Sequence, residues 1–410
     1  MASTQQQLSD DNGWLSYTTW KDPGDAAFDL RSDTVTKPTA SMLKAISQAQ
    51  LGDDVFGEDK TTNALEEYVA KITGHQSGLF VMSGTMGNQI AIRTHLDQPP
   101  YSVLCDHRSH IIRSEAGGVS MWTGATVYPV VPRNGLYLSL EDIREHFIPG
   151  ANIPYGFTQT TKRGHFTEAV PRTNVHDCPT RLISLENTLG GVIMPYFETK
   201  RIVKWAHDNN IKVHLDGARI WEAAAAVEAG GGSLAYYCSL FDSVSLCFSK
   251  GLGAPIGSMV VGSEAFIEQA RWFRKSIGGG TRQLGVLSAA ARVAVEEVFG
   301  QGPIGLGGKL KATHEKAKRV ADMWTSRGGK LALPVQTNMV WLDLAQAGLG
   351  PNDVSEVAAH NGLQLRGGRI VIHHQISDDA IYRLEKVFDI VLSGEFERSK
   401  NISKPYGSLN

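Results

Sequence analysis

The stretch "VSLCFSKGLGAPIG", residues 244–257, sets one lysine, Lys250, between an alternating apolar run and a turn of glycine and proline. An amine at the carboxyl end of a buried strand can attack a carbonyl carbon and form a Schiff base. Its neighbours Ser249 and Gly251, with the following glycines and Ala254, have small side chains or none and predict room for a ring bonded to the lysine nitrogen. A surface lysine with a buried stem is the bland alternative, and these neighbours weigh against it. In "IKVHLDGARI", Asp216 stands where a period-two strand gives way to a turn, the sheet edge at which α/β folds bind ligands. Taken alone, that carboxylate reads better as a cap for the next helix. In "FVMSGTMGNQIAI", Ser83, Gly84 and Thr85 occupy a strand-to-helix turn, where backbone N–H groups and a hydroxyl can approach a phosphate. A plain helix cap would use the same residues. A phosphate turn, a strand-end acid and a strand-end amine, in that order, meet the needs of pyridoxal 5'-phosphate: an anion cradle, a carboxylate for the pyridine nitrogen and an amine for the aldehyde carbon.

Two further glycine patterns suggest nucleotides and do not fit them. "GLGAPIG" (251–257) carries Pro255 and opens no helix, and "GPIGLGGKL" puts Leu310 where a phosphate loop needs Ser or Thr after its lysine. Both read as turns.

The elements that must position these groups follow from the patterning. Between about 40 and 300, short β-rich runs such as "SGLFVMS", "RLISLEN", "IKVHLDGA", "FDSVSLCFS" and "IGSMVVG" alternate with helical stretches. Strands separated by helices predict an α/β fold with a mostly parallel central sheet covered on both faces. From about 303 the order changes to helix, strand, helix, strand and a last helix near 378–393, a smaller C-terminal α+β unit. The expected domains are a polar N-terminal arm at 1–28, a large cofactor-binding domain at 29–302 and a small domain at 303–410. The loop-like insert at about 152–180 is long enough to be functional or disordered.

Bulk properties exclude several classes. A chain of 410 residues, 42% hydrophobic, can bury a large core. A formal net charge of −2 with interspersed signs leaves no basic footprint for nucleic acid or anionic membrane. Cys105, Cys178, Cys238 and Cys247 show no CxxC or histidine spacing suited to zinc and no disulfide framework, so no metal site is read here and a reducing compartment fits. No apolar run reaches the roughly 18 residues that cross a bilayer, nor is there a leader pattern, so the expected location is the cytosol.

Seven ordered motifs carry a family resemblance: "DLRSDTVTKPT", "GDDVFGED", "SGTMGNQIAIRTHL", "ENTLGG", "HLDGARIWEAAA", "SKGLGAPIGS" and "GGGTRQ". Over roughly residues 28–395 the chain resembles the L-threonine aldolases, fold-type-I (aspartate-aminotransferase-like) pyridoxal-phosphate enzymes, most closely the fungal low-specificity type. The resemblance implies that Lys250 holds the cofactor covalently and that Asp216 pairs with its ring nitrogen. Gly84 and Thr85, beside Ser83, would hold its phosphate, with Ser249 and Arg219 among the cofactor contacts. By the same resemblance His110 stacks on the ring, with Glu115 as a supporting partner. Ser32, Arg219 and Arg369 would take the substrate α-carboxylate, for which an arginine fork suits two-point contact. A structural pair between Arg219 and Asp216 is the alternative there, and a surface charge the alternative for Arg369. Family members are homodimers or homotetramers, so the arm and the "VFGED" segment would face another chain.

One departure stands out. The aldolases carry a histidine at the first or second position after "ENT", where it handles the β-hydroxyl of the substrate; this chain has Leu189 and Gly190. That departure weighs against the aldol step, while the likeness to the fungal aldolases keeps the expected activity as retro-aldol cleavage of L-threonine or L-allo-threonine to glycine and acetaldehyde, with His110, His107 or a water as the base. The alternative is a fungal alanine racemase of the same family, which needs only Cα–H chemistry and would work the two faces with Lys250 and His110. A catalytically inert scaffold is a third reading, opposed by the retention of both Lys250 and Asp216.

Overall fold

The computed structural model describes residues 23–150, 176–226, 234–300 and 308–393. Most of the expected N-terminal arm and most of the 152–180 insert lie outside the described residues.

A seven-stranded sheet forms the centre, built from β1 (Ser77–Val81), β2 (Ser102–Asp106), β3 (Thr126–Val130), β4 (Thr180–Glu186), β5 (Lys212–Gly217), β6 (Ser243–Cys247) and β7 (Ser258–Gly262). Its order is β1-β7-β6-β5-β4-β2-β3, and only β7 runs antiparallel to its neighbours. The mostly parallel α/β sheet expected from the sequence is present. Every residue of β2, β6 and β7 is buried, as expected for strands covered on both faces. The alternation did not single out β2 or β3. β3 sits at the sheet edge, where Pro129 loses no ladder hydrogen bond.

The helix Gly84–His95 crosses one face of the sheet behind the phosphate turn. Ser83 caps it, its hydroxyl oxygen accepting the Met86 N–H at 3.1 Å. Gly87 lets it lie close: a Cβ there would stand 2.6 Å from Ser245 Oγ on β6. That approach brings the next residue, Asn88, down among the strand-end carboxylates.

Two strands, β8 (Met339–Trp341) and β9 (Arg369–Val371), pair antiparallel away from the main sheet. They share a separate hydrophobic cluster with the helices Gly308–Thr325 and Asp378–Leu392, centred on Trp324 and Phe388. Leu30, far upstream in sequence, belongs to that cluster, and a bridge joins Asp29 to Gln364. The segment carrying Ser32 and Asp33 is thereby anchored to the C-terminal unit while it reaches toward the large sheet.

Candidate active site

Adjacent strands deliver the expected groups. Asp216 on β5 is paired in register with Glu186, the last residue of β4. β6 ends at Cys247, so Lys250 lies three residues on, in a turn and not at the strand end. The Lys250 carbonyl accepts the Gly253 N–H at 2.9 Å and the Thr36 hydroxyl at 3.1 Å. Gly253 has φ +84°, a conformation that favours glycine.

The room expected for a ring is not what these small residues provide. A Cβ on Gly251 would stand 2.5 Å from Glu222 Oε1, and one on Gly257 would run into the Phe80 ring. Ala254 is buried in the main core. The turn is small because protein atoms pack against it.

Asp216 is 3% exposed, and both its oxygens are engaged. Oδ1 accepts the Ala218 N–H at 3.1 Å and Oδ2 accepts Asn88 Nδ2 at 2.8 Å. The same Asn88 nitrogen donates to Glu115 Oε1 at 2.9 Å, and Gln89 Nε2 donates to Glu115 Oε2. His110 Nδ1 meets Glu115 Oε1 at 2.8 Å. His110, Glu115 and Asp216 bring one potential ligand atom each within 4.8 Å of the others. These atoms are already hydrogen-bonded to protein, and the cluster is read as a polar network. The bond to Glu115 raises the pKa of His110 above the ordinary histidine value, against the effect of burial, and the charge of Asp216 adds to it.

Glu186, not singled out from the sequence, shares this pocket. Burial pushes its carboxyl up to about 8, the charge of Asp216 pushing the same way, while its Oε2 accepts the His110 backbone N–H at 2.8 Å. The charge of Lys250 acts on Glu186, His110 and Asp33 alike, which sets the lysine among them.

Arg219 pairs with Asp33, and the alternative of a pair with Asp216 is not what the structure has. Nε and Nη2 reach Asp33 Oδ2 and Oδ1 at 2.7 and 2.6 Å. Burial would raise the Asp33 pKa, but Arg219 overrides it and holds the carboxyl at about 2. Arg369 donates to the Arg31 carbonyl at 3.0 Å and lies 5.9 Å from the Trp341 ring centre. Its pKa is lowered by burial and then by the nearby charge of Arg219, and it has no carboxylate partner among the described residues. Two guanidiniums with one carboxylate between them favour a further anion. Ser32 lies beside Asp33, its Oγ accepting the Thr34 N–H at 3.2 Å.

The phosphate turn has open donors. The N–H groups of Gly84 and Thr85 open their helix with no intrahelical acceptor. Ser258 Oγ is buried without a hydrogen-bond partner and lies 3.8 Å from where a Gly84 Cβ would be. An anion there would engage all three, so these residues fit a phosphate group. Ser249 Oγ lies 3.4 Å from Cys247 Sγ.

The segment after "ENT" is apolar. Leu189 lines a small cavity with Glu186, Leu185 and Met194, and the Gly190 carbonyl accepts the Trp341 Nε1–H at 2.9 Å. His107, the other candidate base, lies 3.2 Å from Asp106 Oδ1. Asn88, Asp33 and Glu186 were missed by sequence reasoning. Glu186 had the signal that marked Asp216, an acid closing a β-rich run; Asn88 lies one helical turn beyond Gly84.

Residues 29–347 match the model of the beta-eliminating lyase family. The aldolase vrtJ of Penicillium aethiopicum is 52% identical over 92% of this chain and 89% of its own length. The alanine racemase TOXG of Cochliobolus carbonum is 43% identical over 94% of this chain and 93% of its own. The low-specificity L-threonine aldolase of Eremothecium gossypii is 42% identical over 93% and 90%. Among solved structures, the threonine aldolase of Leishmania major superposes with a TM-score of 0.69 at 18% identity, over 89% of this chain and 99% of that one.

Proposed function

The chain belongs to the beta-eliminating lyase family, and from that premise we propose that it cleaves threonine-like β-hydroxy-α-amino acids to glycine and an aldehyde. It is an enzyme of the pyridoxal-phosphate-dependent lyases. When bound, the cofactor supplies an electron sink for the carbanion left at Cα. Lys250 would hold it through its amine and Asp216 through the ring nitrogen. Ser83, Gly84, Thr85 and Ser258 would take its phosphate, with Ser249 and Arg219 nearby.

The chain's own residues then divide the work. Arg369, with Arg219 and Ser32, would orient the substrate carboxylate. His110 would take the β-hydroxyl proton at Nε2. The observation that carries this reading is the His110–Glu115 pair at 2.8 Å: a carboxylate on Nδ1 keeps the proton there in the neutral ring, so Nε2 is left as the acceptor. In this reading His110, the first residue of the short helix His110–Arg113, stands in for the histidine expected after "ENT".

The apolar Leu189–Gly190 pair and the likeness to TOXG favour a second reading, alanine racemisation, in which Lys250 and His110 exchange the Cα proton on opposite faces. A paired assay on one sample separates them. Acetaldehyde release from L-threonine and L-allo-threonine is measured beside loss of optical rotation of L-alanine. Dominant aldehyde release supports the lyase; fast racemisation with slow release overturns it in favour of the racemase.

A further inference from the structure

Behind Asp216 a line of buried polar groups runs along the helix Gly84–His95 from Asn88 to its last residue. Asn88 Oδ1 meets His214 Nε2 at 3.1 Å, His214 Nδ1 meets Ser243 Oγ at 2.8 Å, and that oxygen meets His95 Nε2 at 2.7 Å. Asn88, His214 and Ser243 are each at most 1% exposed. Asn88 and His95 are seven residues apart on one helix face, roughly 10 Å along its axis. His214 precedes Asp216 by two residues and shares its side of β5, and it pairs in register with Ser243 on β6.

The chemistry of the groups sets the direction of every bond. Ionised carboxylates only accept, so both N–H bonds of Asn88 go to Asp216 and Glu115, and its oxygen must accept. His214 therefore carries its proton on Nε2. Burial holds His214 at about 3 and His95 at about 4, so both rings are neutral at physiological pH. Nδ1 of His214 is then an acceptor, Ser243 donates to it, and the serine oxygen accepts the Nε2–H of His95. All four donors point toward the two carboxylates.

We propose that His214 is a positioning residue of the cofactor site: it locks the Asn88 amide with both N–H bonds on Asp216 and Glu115, through a polar chain that Ser243 and His95 complete. Without it, the amide can turn over and set its oxygen against two carboxylates. The locked amide keeps an N–H bond on Asp216 Oδ2, the carboxylate that would face the ring nitrogen, and through Glu115 it braces His110. The inference rests on the cofactor assignment and is independent of which substrate is cleaved.

The test uses full-length apoprotein reconstituted with pyridoxal phosphate carrying ¹⁵N in the ring. Wild type, His214→Phe, His214→Gln and Ser243→Ala are compared by cofactor Kd and by the ¹⁵N shift, which reads protonation of the ring nitrogen. His214→Phe is expected to weaken cofactor binding about tenfold or more and to move the shift toward the unprotonated form. His214→Gln, which retains an N–H for Asn88, is expected to recover most of both, and Ser243→Ala to fall between. Unchanged Kd and shift in folded His214→Phe would overturn the proposal. If that variant does not fold, Ser243→Ala and His214→Gln decide: wild-type values in both overturn it, and a graded shift supports it. A wild type that binds no cofactor would instead sink the cofactor assignment.

Discussion

The two sides of the site differ in how complete they are. On the Asp216 side, both oxygens of Asp216 and of Glu115, both N–H bonds of Asn88 and its carbonyl all have protein partners. On the opposite side, Ser258 Oγ is buried without a partner, Arg369 has no carboxylate among the described residues, and the first N–H groups of a helix are open. A buried polar group without a partner costs stability unless a ligand supplies one. One side is thus a nearly finished scaffold, with Gln89 Oε1 left buried without a partner, and the other is a set of donors that fit anions.

Substitutions should separate the two sides, and the largest effect is expected at His110. His110→Ala should cut aldehyde release about 10²–10⁴-fold, the usual range for a general base, with cofactor Kd changed far less. Steady-state rates and a cofactor titration on the same preparation check this, and a loss confined to Kd would place His110 in binding alone. Next comes the pre-paired element of the open side: Asp33→Asn takes the anionic partner from Arg219, whose side chain is 18% exposed, and should cost about 1–3 kcal/mol of stability, read by urea unfolding.

A smaller, signed effect is expected in the pH profile. Because Glu115 raises the pKa of His110, its base form appears only above that raised value, so aldehyde release should rise with pH later than for a free histidine. Glu115→Gln removes the largest cause and should move the acid limb to lower pH. The same pair stabilises the fold at low pH, and that contribution fades as pH rises through the raised value. An unmoved limb would show that another group controls the profile. The smallest effect is expected at Ser258: Ser258→Ala should weaken cofactor binding by at most about tenfold while leaving apoprotein stability equal or higher, because the hydroxyl has no partner to lose. A stability loss would mean that Ser258 belongs to the finished side.

Much of this could be read from residue order. Lys250, Asp216 and the Ser83–Thr85 turn stand out in the sequence because sheet-edge position and local composition point to ligand binding, and those signals are local. Arg219 stands out only through the family resemblance, and its partner Asp33 lies 186 residues away with no local pattern to join them. The glycines of the Lys250 turn were misjudged for the same reason: what fills the space beside Gly251 is Glu222, from a different element.

The sequence by itself determined the α/β class, most of the strands and helices, the chemistry available near the strand ends and the family, because periodicity, turn residues and motif spacing act over a few residues at a time. Only the tertiary structure decided which carboxylate meets which cation and which way the Asn88 amide faces. It also brought Glu186 beside Asp216. Those outcomes depend on strand register and on how closely a helix can approach a sheet, and both are set where distant segments come into contact.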